Sequence, residues 1–305
     1  MKKKLFVFAL LFLLTMSYGQ TTRYIYETSV NPDSINLVSL KTEKTFLDVK
    51  ANRSLFISEN KLIKDSLFSA FKLKEKEDNT KQEKDLSKVG VKKHIEPAFF
   101  EYFITKNIPE QKVYYYDKVA GKQIYYQEDR PLKWEISDVT EKQNGYLSQK
   151  AVVNFGGRIW TAWFTKEIAI SDGPYKFSGL PGLIVKLEDD KGDYKFDLVK
   201  KITVQNGFEE QISSDAKQST RIAFNGDKAA LELEFVKNKR LGGNEGGMPD
   251  FGGGGRHGGG MRGGNHQGGG GMSHKGMNGN DAPMQGTSEN VFFKNTVSEN
   301  PIELK

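Results

Sequence analysis

Gly173-Pro174-Tyr175-Lys176-Phe177-Ser178-Gly179-Leu180-Pro181-Gly182-Leu183-Ile184 is the least ordinary stretch of this 305-residue chain. Pro181 fixes its own φ and offers no N–H, and the glycines around it accept a left-handed backbone. The apolar, β-prone run Leu183-Ile184-Val185-Lys186-Leu187 follows. A tight turn therefore delivers a buried strand. Gly179, Leu180, Pro181 and Gly182 are candidate pocket residues, although shaping the turn is reason enough for them to be there.

Working back from this stretch, the chain reads as strands at short intervals. Phe99 to Thr105, Lys112 to Asp117, Lys122 to Tyr126, Leu132 to Ile136, Leu147 to Phe155 and Arg158 to Thr165 are each strand-like. Turn signals separate them, among them Ala120-Gly121, Asn144-Gly145 and Gly156-Gly157. Ala151, Val153 and Phe155 share one face of a strand. In the next strand Trp160, Ala162 and Phe164 face one way and Ile159, Thr161 and Trp163 the other, so it is expected to be central and covered on both sides. Forward of the turn, Leu183 to Glu188 and Tyr194 to Val204 form a hairpin. Nearer the start, Tyr24-Ile25-Tyr26, Thr45 to Val49 and Ser54 to Ile57 are further strands, and Ile63, Leu67 and Phe71 have helical spacing. Lys228 to Arg240 is rich in helix formers, although Leu231, Leu233 and Phe235 also alternate as an edge strand would. The fold class is mainly β (α+β). It is expected to be an antiparallel curved sheet or half-barrel with one or two packed helices.

The turn stretch contains Gly-Leu-Pro-Gly-Leu-Ile. Gly157-Arg158-Ile159-Trp160-Thr161-Ala162-Trp163-Phe164-Thr165 leads into it, and Asn300-Pro301-Ile302-Glu303-Leu304-Lys305 closes the chain. Together these resemble the GLPGLI family of exported proteins from Bacteroidetes-type bacteria. The similarity is dense over about residues 134–200 and looser toward both ends. Two positions depart from the family pattern: Ile168-Ala169 stands where an Ile-Pro is usual, and no Cys lies near Ser148. The family carries no established activity, so the resemblance implies a fold more than a function.

Met1-Lys2-Lys3-Lys4, an apolar run from Leu5 to Met16, and the small residues Ser17 and Gly19 have the form of a cleavable signal peptide, residues 1–19. The run is too short for a stable span, and no later stretch suggests one. Residues 1–19 hold three Lys and no acids, so their removal takes the formal charge from +6 to +3. That is too weak to point to nucleic acid. The chain has no cysteine, which excludes a lipidated Cys, a disulfide or a thiolate metal site. A periplasmic or extracellular protein that is not a lipoprotein is expected.

Residues 20–241 are read as the β-rich domain, with a charged flexible loop at 72–93. Residues 242–286 are dominated by glycine and are expected to form a long disordered insertion. Residues 287–305 are expected to return to the domain as a strand. All five Met beyond the signal segment lie in the insertion, with three of the four His. Thioether and imidazole together suit copper. The candidate metal ligands are His257, Met261, His266, Met272, His274 and Met277. Arg256, Arg262 and Lys275 sit beside them and repel a cation, and a plain low-complexity linker is the simpler explanation of the composition.

Arg158 is a candidate for binding an anion, or for pairing with an acid. Trp134, Trp160 and Trp163 are candidates for stacking on a planar ligand, or for core packing. No serine-hydrolase elbow, zinc-protease helix or Walker loop occurs, and His94 is the one His outside the insertion. The reading is of a non-enzymatic cell-envelope binding or accessory protein whose partner is an envelope protein or a small ligand. Two alternatives stand beside it. One is a carrier of an apolar or lipidic ligand in the half-barrel concavity. The other is an exported hydrolase using a carboxylate pair, which needs one acid with a strongly raised pKa beside another.

Overall fold

Alternation and turn chemistry build the sheet. In Arg53–Ser58, Phe56 faces one side while Leu55 and Ile57 face the other, and all three are buried. Three two-residue hairpin turns have both central residues at positive φ: Ala120-Gly121, Asn144-Gly145 and Gly156-Gly157. That geometry matches the twist of paired strands. The computed structural model describes residues 20–33, 40–67, 96–205, 212–242 and 300–304.

Twelve strands form one curved, unclosed sheet: β1 (Thr21–Val30), β2 (Lys41–Lys50), β3 (Arg53–Ser58), β4 (Phe103–Asn107), β5 (Lys112–Val119), β6 (Lys122–Gln127), β7 (Glu135–Gln143), β8 (Tyr146–Phe155), β9 (Arg158–Thr165), β10 (Leu183–Asp189), β11 (Tyr194–Val204) and β12 (Lys217–Ser219). The order is β12-β6-β5-β4-β3-β2-β1-β11-β10-β9-β8-β7. Two meanders, β1 to β6 and β7 to β11, thus lie side by side. They join where β1 pairs with β11 from Thr21↔Val204 to Val30↔Tyr194. Only β12, which runs parallel to β6, breaks the antiparallel pattern.

The two faces carry separate clusters. Phe46, Leu55, Ile57, Phe103 and Tyr116 pack on the outer face with Leu62 of α1, a helix over 59–67. Tyr24, Tyr26, Phe56, Ile104, Phe155, Trp160 and Phe196 belong to the larger inner cluster. Residues 166–182, between β9 and β10, fill that inner face as a plug. Phe177 lies 4.8 Å from the Trp160 ring and 5.5 Å from Phe155, and Tyr175 lies 6.4 Å from Phe56. Burial of side chains such as Tyr175, Phe177 and Leu180 stabilises by roughly 2 kcal/mol each.

The second helix, α2 (Phe224–Gly242), puts Phe224 and Leu231 against Tyr115, Ile124 and Tyr126 of the β5–β6 end. Helix formers prevail there over the strand-like alternation, and the helix begins four residues earlier than its composition suggests. Other expectations are corrected. Leu132 and Trp134 are loop residues, and the strand that follows is the mostly exposed β7. Ile159 is 48% exposed, so β9 is not covered along both faces. Residues 300–304 pack on the domain outside any strand, and the rest of the expected strand at 287–305 lies outside the described residues. The charged loop 72–93 and the insertion 242–286 lie outside the described residues, apart from the helical residue 242. Among the described residues, no helix is long and apolar enough to cross a membrane.

Gly182 fixes the approach of the plug to β9. Its φ is +154°, and a Cβ there would lie 2.1 Å from the Thr165 carbonyl oxygen. Gly182→Ala is expected to destabilise by about 3 kcal/mol or more, because backbone must move. Gly121→Ala, with positive φ but nothing within 4 Å, should lose about 1 kcal/mol. Urea unfolding of the two variants tests this, and equal losses would disprove the packing role.

Candidate functional site

Three buried cations, Lys106 of β4, Arg158 of β9 and Lys176 of the plug, each meet their own acids. Lys106 extends inward from β4, two residues after the inward Ile104. Its Nζ donates to the carbonyls of Gly173 at 2.6 Å and Phe177 at 3.3 Å, and pairs with Asp172 at 2.5 Å. Burial pulls the Lys106 pKa down, with Asp172 opposing.

Lys176 lies at the centre of a second network. Three consecutive side chains, 175 to 177, are buried. The chain turns at Tyr175, whose φ is +54°. Lys176 Nζ donates to the Tyr126 hydroxyl at 2.7 Å, to Glu128 at 2.7 Å and to Glu303 at 2.5 Å. Arg130 also donates to both acids, and the Tyr175 hydroxyl donates to Glu303. Burial alone would lower Lys176, but Glu303, Tyr126 and Glu128 outweigh it and hold the ammonium above its usual range. Burial would raise Glu128, yet bonds from Arg130 and Lys176 bring it down to about 2.

Arg158 anchors the closing segment. Its guanidinium donates to Asp189 at 2.5 Å and Asp193 at 2.8 Å, and to the Asn300 side chain and the Pro301 carbonyl. Asn300 in turn donates to the Asn31 carbonyl. The anions that Arg158 binds are thus its own aspartates. Trp160 is fully buried and donates to the Phe155 carbonyl, and Trp163 is 6% exposed. Leu180 is buried, while Gly179 and Pro181 are exposed. Trp134 donates to the Ser178 carbonyl.

A cavity of about 350 Å³ remains between the plug, α2 and residues 301–303. Tyr102, Tyr115, Tyr126, Tyr175 and Phe224 supply rings, and Arg221, Lys228 and Glu303 supply charge. Burial pushes the phenols of Tyr102, Tyr115 and Tyr175 well above their usual range, so they stay neutral donors. The Tyr102 hydroxyl is buried without a hydrogen-bond partner. Arg158, Trp160, Trp163, Gly179, Leu180, Pro181 and Gly182 do not line this cavity. A second cavity, about 430 Å³, lies among the turns at Ala51, Ile108 and Ile170 and is lined by neutral residues.

Sequence reasoning singled out none of Lys106, Lys176, Tyr102, Tyr115 or Glu303. The one available signal was Lys106, a charge at an inward position of an apolar strand. Among the described residues, the acid with a raised pKa, about 7, is Glu43. Burial is the main cause, with Glu101 adding to it, and Glu43 does not line either cavity. The metal candidates His257, Met261, His266, Met272, His274 and Met277 lie outside the described residues. Among the described residues, no cluster of three metal-ligating side chains occurs.

Replacing Lys176 with Met leaves the buried Glu128 carboxylate and the partly buried Glu303 with Arg130, and Glu128 also with the more distant Arg221, an expected loss of about 3–5 kcal/mol at pH 7. Glu128 has a depressed folded value, so its contribution is present above pH 4.5 and is lost as pH falls toward 2. The K176M deficit should therefore shrink at pH 3. Urea unfolding at both pH values measures it, and a pH-independent deficit would rule out the ion network as its source.

Residues 53–186, from β3 into β10 and including the plug, match a family described as a protein of unknown function (Porph_ging), which is Bacteroidetes-associated. No curated protein matches the chain. Two crystal forms of PNGF-II are similar at 12% identity and a TM-score of 0.46, covering 70% and 69% of this chain. The chain spans about a third of the length of those structures, 34% and 33%.

Proposed function

We propose that this chain is a non-enzymatic binding protein exported to the bacterial cell envelope, and that the aromatic cavity beneath α2 is its ligand site. Membership of the GLPGLI family is part of this reading. It draws support from the match of residues 53–186 to a Bacteroidetes-associated family and from the central place of the Gly-Leu-Pro-Gly plug. The observation that carries the proposal is the state of the buried charges of the domain. Lys106, Lys176 and Arg158 each meet an acid at 2.8 Å or closer. Glu128 is held ionised rather than sharing a proton, which counts against a carboxylate-pair hydrolase. The plug occupies most of the inner face. The remaining 350 Å³ suits a small molecule better than a lipid with two acyl chains.

Asn225 is exposed and lines the cavity, so Asn225→Trp should block it without disturbing the core. Solvent extracts of the purified protein, analysed by mass spectrometry, should release a small molecule from the wild type and not from N225W. The proposal would be rejected if the same molecules came from both, or if the wild type turned over glycoside or ester substrates at a rate sensitive to Glu128→Gln.

The Met and His content of 242–286 supports a second, separable role in labile copper binding. Titration with Cu(I) should show binding by the full chain that is lost on deleting 243–286. Equal binding by both proteins would reduce the segment to a linker.

A further inference from the structure

The helix α2 carries a second apolar face, away from the sheet. We propose that this face, made by Ala229, Leu233 and Val236, pairs with the same face of a second copy of the chain in an antiparallel, two-fold dimer.

Helix periodicity separates the two faces. Phe224 and Leu231, seven residues apart, are buried against the β5–β6 end of the sheet. Leu233 follows Leu231 by two residues, about 200° around the helix, so it points away from the sheet and is 71% exposed. Ala229 and Val236 lie four residues before it and three after it, on the same face, and both are exposed. A helix that rests on a sheet ordinarily turns charged and polar residues to water. Here an apolar stripe runs between charged flanks instead. The flanks choose the occupant. From 229 to 239 two acids, Glu232 and Glu234, are followed by two bases, Lys237 and Lys239. The segment therefore has no basic excess to attract an anionic lipid surface or a nucleic acid. The order of charges does complement itself when reversed. A two-fold axis through the midpoint of Leu233 and Val236 sets Leu233 of each copy level with Val236 of the other. Glu232 and Lys239 lie on one flank of the stripe, and on that flank Glu232 of each copy comes within about 3 Å along the axis of Lys239 of the other. A parallel pair would instead put Glu232 beside Glu232 and Lys239 beside Lys239, which repels. The antiparallel contact uses the same patch on both copies, so it closes as a dimer.

Sedimentation velocity of the full chain over a range of concentrations is the test, at low ionic strength so that exposed charges are not screened. Three turns of helix bury less area than a standard interface, so the expected Kd of the dimer is about 20 to 500 µM. Leu233→Glu should leave only monomer at every concentration. Its side chain is exposed in the monomer, so the variant should melt within about 2 °C of the wild type. Glu232→Lys alone and Lys239→Glu alone should each weaken the dimer about tenfold, because each turns two attractive pairs into repulsive ones. The double variant E232K/K239E restores both pairs with their signs exchanged and should recover the wild-type Kd to within about twofold. A wild-type protein that stays monomeric up to about 1 mM would overturn the proposal. A dimer that survives L233E would place the contact on another face and overturn it equally. A double variant no tighter than the single ones would overturn the antiparallel register, and the proposal with it.

Discussion

Filling of the inner face by residues 166–182 is the constraint on which the rest depends. A sheet that curls without closing leaves an apolar hollow, and an unfilled hollow forfeits contact energy on every wall. Here one loop touches Tyr126 on β6, Phe56 on β3, Trp160 on β9 and Phe155 on β8. β6 and β3 lie far from the neighbouring β9 and β8 in the sheet order. A single object therefore sets the curvature of both meanders. Gly182 lets the loop leave β9 at backbone contact distance, and Gly173 lets it pass Ile184, where a Cβ would come within 2.7 Å of the side chain.

Hydrophobic burial and the ion pairs divide the work in a definite way. Rings and Leu180 supply net stabilisation of roughly 2 kcal/mol per side chain. The buried pairs of Lys106, Lys176 and Arg158 contribute little net stability, because desolvation offsets attraction. Their contribution is position. Lys106 favours the loop conformation that aims the Gly173 and Phe177 carbonyls at its ammonium. Lys176 and Arg158 do the same for residues 300–304, which reach the domain after a long intervening stretch of sequence. Closure of the chain end and placement of the plug are thus linked through Glu303, which bonds to Tyr175 and Lys176 together.

Much of the sheet was legible. The hairpins at Ala120-Gly121, Asn144-Gly145 and Gly156-Gly157 announced themselves through turn chemistry, and the curved sheet followed from their rhythm. The strand β7 was not legible, because Glu135–Gln143 is exposed along nearly its whole length and has no apolar face to select. The apolar Leu132 and Trp134 drew the expectation to the wrong segment. The β1–β11 seam pairs residues 164 to 183 positions apart, and no local pattern encodes that. The cavity escaped for the same reason. Lys176 in a turn-rich motif reads as a solvated charge until Glu128 and Glu303, 48 and 127 positions away, come beside it.

The conspicuous motif and the open site are therefore different things. Gly179 and Pro181 are exposed because a turn must reverse the chain somewhere, and Trp160 is buried because it backs the plug. These residues make the hollow smaller. What they leave open is lined by tyrosines that look unremarkable in sequence, since aromatic residues are common in strands of this kind. Their significance arises from the third dimension. Tyr115 and Tyr126 come from β5 and β6, Tyr102 from the residue that leads into β4, Tyr175 from the plug and Phe224 from α2. Only when the plug is seated do the five rings face one space, so the same filling that removes a large apolar concavity creates a small aromatic one.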